Sequence, residues 1–486
     1  MPELAGSAPY QPHLTYSDLR KHLEGGGSLR EVVEGYLRNI KSGEELNAFL
    51  EVYEEEALER ADAVQEKIRA GNAGSLAGMV IGLKDNICYE GHRVSASSKI
   101  LEGFESVYSA TVVERLIHED AIIIGRLNCD EFAMGASNEN SAYGPVLNAK
   151  DPKRVPGGSS GGSVVAVQAG LCFAALGSDT GGSIRQPASF TGTVGAKPTY
   201  GRVSRWGLLA YASSFDQIGP VTHTVADNAK ILEVIAGGDD YDATCSNQPV
   251  PSYLPQPVES KLKIAVITDC LEDTGLDKEI KGYTEKLMEQ LESEGHEVET
   301  VPFPYLDVMV PCYYVLTTAE ASSNLSRYSG MLYGHRSQES ANVDTTITES
   351  RTEGFGPEVK RRIMTGTFVL SEAYYDAYYS KAQKVRRIIK EKTEELLETY
   401  DAIMLPTTPT VAFELGEKAS DPIAMYLADI YTVQAPLAGL PAISVPVHNQ
   451  HSTGMPFGIQ LIGRSFGERE LYTQAQYLEH LIVNQL

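Results

Sequence analysis

The sequence predicts an α/β protein in which helices cover both faces of one large sheet that is mixed or parallel. Three observations carry this. A helical pattern at 111–119 is followed directly by a strand pattern at 121–125. A clean strand–helix–strand unit runs from IAVI through 278–294 to HEVETV. Apolar runs of strand length, such as 76–87 and 437–447, have the near-continuous apolar character of strands buried on both faces.

The elements follow in order. Residues 15–70 read as helical: Ser28 and Glu31 fit a capping box, with Val32, Val33, Tyr36, Leu37 and Ile40 at helical spacing, and 54–70 carries Ala57, Leu58, Ala61, Val64 and Ile68 on one side. The run 76–87 is a buried strand interrupted by Lys84, which must be paired, snorkel or lose its proton. Polar 128–154 is an irregular loop that covers or lines something. Then come a small-residue helix at 163–170, a strand at 171–176 and a glycine loop at 177–183. Residues 191–220, rich in Gly, Ser and aromatic side chains, read as packed irregular structure, 225–236 as a helix and 237–257 as a surface connection. The unit from 263 onward is a peripheral βαβ-like insertion of about 260–305, and 355–400 is long and helical. Strands at 401–405, 437–447 and 457–461 and a helix at 468–481 close the chain.

Bulk properties exclude several function classes. The chain has 486 residues and a formal net charge of −24, which repels nucleic acid phosphates, so another subunit would hold any RNA. The six cysteines stand at least 25 residues apart, so no zinc-ligand spacing exists, and a reducing compartment and no structural metal are expected. The first 21 residues show neither an apolar h-region nor an Arg-rich run, and no stretch approaches the roughly 20 apolar residues of a membrane span. A soluble cytoplasmic protein is the expectation.

Two Gly/Ser clusters, at 157–163 and 180–183, flank the apolar segment between them. Three readings compete. A flexible linker would not abut apolar segments of strand and helix length. A nucleophile elbow is matched by Gly157-x-Ser159-x-Gly161 and Gly158-x-Ser160-x-Gly162, but the preceding NAKDPKRVP is polar and has two prolines where a buried strand is needed. The third reading joins both clusters to Lys84 in a serine hydrolase without a histidine, since none of the ten histidines lies between 119 and 222. Burial that lowers a lysine from about 10.4 toward 7 or 8 would make it a base, and the N–H groups of a glycine loop can hold an oxyanion.

GLKDNI at 82–87, PGGSSGGS at 156–163 and GSDTGGSIRQPASF at 177–190 resemble the amidase signature family. KPTYGRVSRWGLLAYASSFDQIGP at 197–220 narrows this to the branch whose members hydrolyse glutamine for tRNA-dependent amidation. The similarity runs essentially from residue 15 to the C-terminus. It implies a single amidase signature domain over 1–486, with the amidase signature fold. It also implies a triad of Ser183 as nucleophile, Ser159 as relay behind a cis Gly158–Ser159 peptide, and Lys84 as base. The oxyanion donors map onto Thr180, Gly181, Gly182 and Ser183. Asp429, Arg362 and Tyr314 match the residues that grip glutamine, with Arg361 and Tyr313 as alternatives one position away. The chain departs from the usual pattern at Thr191, Ala196, Trp206 and Ala435-Pro436. No cofactor is implied in this subunit. ATP and Mg²⁺ would belong to a partner, in a heterotrimer with B and C subunits that acts on Glu-tRNA(Gln). The competing functions are a stand-alone amidase of small amides and a catalytically silent scaffold.

Overall fold

The computed structural model describes residues 10–339 and 341–485. The first nine residues, part of the N-terminal stretch read above for targeting signals, lie outside the described residues. Eleven strands form one sheet: β1 (Phe49–Val52), β2 (Val80–Lys84), β3 (Ile122–Leu127), β4 (Ala174–Asp179), β5 (Val194–Lys197), β6 (Gln217–Thr222), β7 (Lys263–Ile267), β8 (Glu297–Val301), β9 (Ala402–Pro406), β10 (Ala442–Val447) and β11 (Phe457–Ile462). Their spatial order is β1-β3-β2-β4-β6-β5-β10-β11-β9-β7-β8. β3, β2 and β4 run parallel, as do β9, β7 and β8, whereas the strands between these groups pair antiparallel. The expected mixed α/β sheet is therefore present.

Every residue of β2, β3, β4, β5, β6, β9, β10 and β11 is buried. Successive side chains point to opposite faces, so both faces of the sheet are covered. Helix Gly161–Gln168 is apolar all round and buried from Gly161 to Val167, as an internal helix must be, and it packs on β4 and β2. Helix Val225–Ile235 packs on β5 and β6 and against helix Glu468–Gln485. Among the described residues no helix is long and apolar enough to cross a membrane.

Several expectations need correction. The region 15–70 is not helical throughout: between helices Leu29–Ser42 and Glu54–Ala70 lies β1, a four-residue edge strand too short to show a period. Ser28 does cap its helix, accepting from the Glu31 N–H. The strand expected at 171–176 is β4, three residues later. Leu171 and Cys172 are buried, but their N–H groups donate back to the Ala166 carbonyl in the turn leaving the helix. Gly177, Ser178 and Asp179, expected in the loop, thus end the strand.

The irregular stretch expected at 191–220 contains β5 and the start of β6. Gly195, Gly219 and Pro220 read as punctuation, yet Gly219 is there because a Cβ would fall 2.0 Å from the Ala196 carbonyl oxygen of the neighbouring strand. Helices Leu306–Asn324 and Val343–Gly354 fill a region for which the sequence pattern yields no element, and helix Pro357–Val369 packs on the first of them.

Candidate active site

The site sits where the C-terminal ends of the adjacent parallel strands β3, β2 and β4 converge, the crevice in which open α/β sheets bind ligands. Lys84 is the last residue of β2 and fully buried. Its Nζ donates to Ser159 Oγ at 2.7 Å, Ser160 Oγ at 2.9 Å and Ser178 Oγ at 2.9 Å. Burial pushes this ammonium down to about 8, against the opposing pull of Cys129, Asp130, Asp179 and Asp216. A lysine so placed gives up its proton near pH 8 rather than near 10.5.

Ser159 and Ser160 stand at the entrance to helix Gly161–Gln168, and the Gly158–Ser159 peptide is cis. The Ser160 N–H donates to the Ser183 carbonyl at 3.1 Å, which ties the first Gly/Ser cluster to the second. Ser183 retains 7% exposure, whereas Lys84 and Ser159 have none, so its hydroxyl is the member of the three that can meet a substrate. The polar loop after β3 lies beneath: the Asp130 N–H donates to the Ser159 carbonyl, and the Asp130 carboxylate accepts the N–H groups of Asn138 and Asn140.

The loop 180–183 is shaped by Asp179. Its carboxylate accepts the Gly182 N–H at 2.9 Å and pairs with the wholly buried Arg185 through Nε and Nη2, each at 3.0 Å. Burial alone would raise the Asp179 carboxyl, but Arg185 and the surrounding donors hold it below its ordinary value. Gly182 therefore departs from its expected oxyanion role in this conformation, because its N–H is already spent on Asp179. No such bond occupies the N–H groups of Thr180, Gly181 and Ser183 among the described residues. Asp179→Asn would leave Arg185 as a buried charge without its carboxylate partner. It is expected to cost about 3–5 kcal/mol, read as a lowered midpoint of urea unfolding.

The other predicted residues gather on the same side. Arg362 is buried on helix Pro357–Val369, bonded through Nε to Glu358 at 2.8 Å and through Nη1 to Tyr211 Oη at 2.9 Å. Its guanidinium also lies 5.1 Å from the ring centre of Tyr314, which stacks on Tyr426. Arg361 is half exposed and pairs with Glu358 from outside, so the inward arginine is Arg362. Both tyrosines face inward: Tyr314 against Arg362, and Tyr313 against Gly181, where a Cβ would fall 2.5 Å from its ring. Asp429 is buried, and its Oδ1 has no hydrogen-bond partner among the described residues. Burial raises this carboxyl well above its ordinary value, with Arg362 pulling the other way. Ser178, Asp179, Tyr211, Glu358 and Tyr426 complete the site. Ser178, Asp179 and Tyr211 lie within the motif stretches quoted above, but nothing in spacing marked their roles.

A family model described as Amidase matches residues 31–472. The chain belongs to the amidase family. The glutamyl-tRNA(Gln) amidotransferase A subunit of Chlorobium phaeobacteroides is 48% identical over 474 residues, covering 96% of this amidase and 99% of that protein. The crystal structure of the glutamyl-tRNA(Gln) amidotransferase A subunit from Thermotoga maritima is similar, with a TM-score of 0.76 and 41% identity over 96% of this chain and 92% of that one. The peptide amidase of Stenotrophomonas maltophilia superposes with a TM-score of 0.80 at only 28% identity, covering 96% of each chain. The same fold thus serves an amidotransferase subunit and a peptide amidase.

Proposed function

We propose that this amidase is the glutamine-hydrolysing subunit of an aminoacyl-tRNA amidotransferase. The observation that carries the reading is the unpartnered, buried Oδ1 of Asp429, set in the field of the buried Arg362. A carboxylate and a guanidinium so placed suit the α-ammonium and α-carboxylate of a free amino acid, whereas a simple amide has neither group. The similarity to amidotransferase A subunits along nearly the whole chain supports the same reading.

In this proposal neutral Lys84 takes the Ser159 proton as Ser159 takes that of Ser183. Ser183 Oγ attacks the side-chain amide carbon of glutamine, and the N–H groups of Thr180, Gly181 and Ser183 are free to face the developing oxyanion. The proton returns through Ser159 to the amide nitrogen, the C–N bond breaks and ammonia leaves. Water then cleaves the glutamyl ester, releasing glutamate and restoring Ser183. Ammonia would pass to B and C subunits of a heterotrimer, where ATP and Mg²⁺ activate the glutamate of Glu-tRNA(Gln). That division suits a chain with a net charge of −24.

Asp429→Asn is expected to raise the KM for glutamine about 30- to 150-fold, the equivalent of losing a charged hydrogen bond worth about 2–3 kcal/mol. Steady-state glutaminase assays of the enzyme purified with its partners read this directly. An unchanged KM, together with fast turnover of simple aliphatic amides, would favour a stand-alone amidase instead.

A further inference from the structure

Asp429, the proposed ammonium ligand, and the loop 180–183 are far apart in sequence but share one buried side chain. Thr432 is fully buried, and its Oγ1 lies 2.6 Å from the Gly181 carbonyl oxygen and 3.0 Å from the Asp429 carbonyl oxygen. The Thr432 N–H also donates to the Asp429 carbonyl, at 3.0 Å. A hydroxyl has a single proton, so these two carbonyls compete for it. The contact is close, because a Cβ on Gly182 would fall 2.1 Å from Thr432 Oγ1.

The consequence lies in the peptide that joins Gly181 to Gly182. Its carbonyl is held by Thr432, and its N–H is held by Asp179 at 2.9 Å. A peptide unit is planar, so gripping both ends fixes the orientation of the whole unit. Of the four N–H groups in the loop, those of Thr180, Gly181 and Ser183 are then left to receive an oxyanion.

A second chain of bonds ends on the same loop. Arg362 Nη1 donates to Tyr211 Oη, the Tyr211 N–H donates to Asp216 Oδ2 at 2.9 Å, and Thr180 Oγ1 donates to Asp216 Oδ1 at 2.7 Å. Both residues proposed to grip the amino acid's charged head are thus linked to the oxyanion loop, and Thr432 is the shorter link.

We propose that Thr432 is a positioning residue that couples occupancy of the amino acid head at Asp429 to the orientation of the Gly181–Gly182 peptide. It thereby makes the enzyme faster with glutamine than with an amide that lacks a charged head. The proposal rests on the role of Asp429 as ammonium ligand. With the head bound, the turn around Asp429 is held and the hydroxyl proton goes to Gly181. With the head absent, the proton is shared with Asp429 and the loop is less well fixed.

The test compares glutamine with propionamide, in the enzyme purified with its partner subunits, for the wild type, Thr432→Val and Thr432→Ser. Valine keeps the shape and removes the hydroxyl, and its kcat preference for glutamine over propionamide is expected to fall about tenfold, with the KM for glutamine within about twofold. Serine restores the hydroxyl and is expected to keep the wild-type preference. If valine disturbs folding, Thr432→Ala removes the same hydroxyl without adding bulk and gives the same readout. Equal losses of turnover on both amides would overturn the coupling and leave Thr432 a structural residue, as would a rise in KM alone. A wild-type enzyme that hydrolyses propionamide as fast as glutamine would overturn the role of Asp429 and the coupling with it, and that result is seen before any substitution is made.

Discussion

Ser183→Ala is expected to lower glutamine hydrolysis by ~10⁴-fold or more and to abolish covalent labelling by a serine-reactive phosphonate. The substitution removes one hydroxyl from a nearly buried position whose backbone carbonyl continues to accept from Ser160. Folding is therefore expected to survive, and thermal unfolding should stay within a few degrees of the wild type. Mass spectrometry of the labelled protein locates the adduct. A wild-type chain that ignores the phosphonate and loses nothing on Ser183→Ala would be the catalytically silent scaffold, with Ser183 an ordinary loop residue.

Lys84→Met is expected to be comparably inactive, yet no less stable. At a folded value of about 8 against an ordinary 10.5, the buried lysine costs about 3 kcal/mol at neutral pH, and removing it relieves that cost. The sign follows from proton binding. Below about pH 8 both folded and unfolded states hold the proton and the full penalty applies. Between about 8 and 10.5 the unfolded chain binds more protons than the folded one, so the penalty shrinks as pH rises. In catalysis the base is the neutral amine. Hence kcat/KM of the wild type should climb about tenfold per pH unit below about 8 and level off above it. A pH profile flat from about 6 to about 9 would count against Lys84 as the base, and a Lys84→Met variant that melts well below the wild type would count against a net cost of burying it.

Much of the site was legible because its chemistry is written in local stretches. A lysine inside an apolar strand is anomalous wherever it occurs, and Lys84 could be singled out from that alone. The two glycine-serine clusters announce backbone that must bend and approach closely, and Gly181 and Gly182 do press against Tyr313 and Thr432. The family motifs then supplied roles that spacing could not. Strands β5 and β6 are hidden in the sequence because Gly195, Gly219 and Pro220 signal turns there, while in the sheet the glycines make room for a neighbouring strand and helix. Helix Leu306–Asn324, which carries Tyr313 and Tyr314, has apolar residues all round and so lacks the one-sided pattern by which surface helices are read.

Fold class, the amidase family and the residue types available for catalysis follow from the sequence alone, because hydrophobic period, turn residues and motif spacing are properties of neighbouring residues. Which groups meet is a property of the packed chain. Lys84 bonds to hydroxyls 75, 76 and 94 residues away along the chain. Packing selects Arg362 over Arg361 by turning one into the core and the other toward solvent. It also commits the Gly182 N–H to Asp179 and leaves those of Thr180, Gly181 and Ser183 available. The physical reason is that burial and hydrogen-bond competition are set by every element packed around a group. Asp429 Oδ1, for example, is left buried and without a hydrogen-bond partner among the described residues only by the elements packed around it.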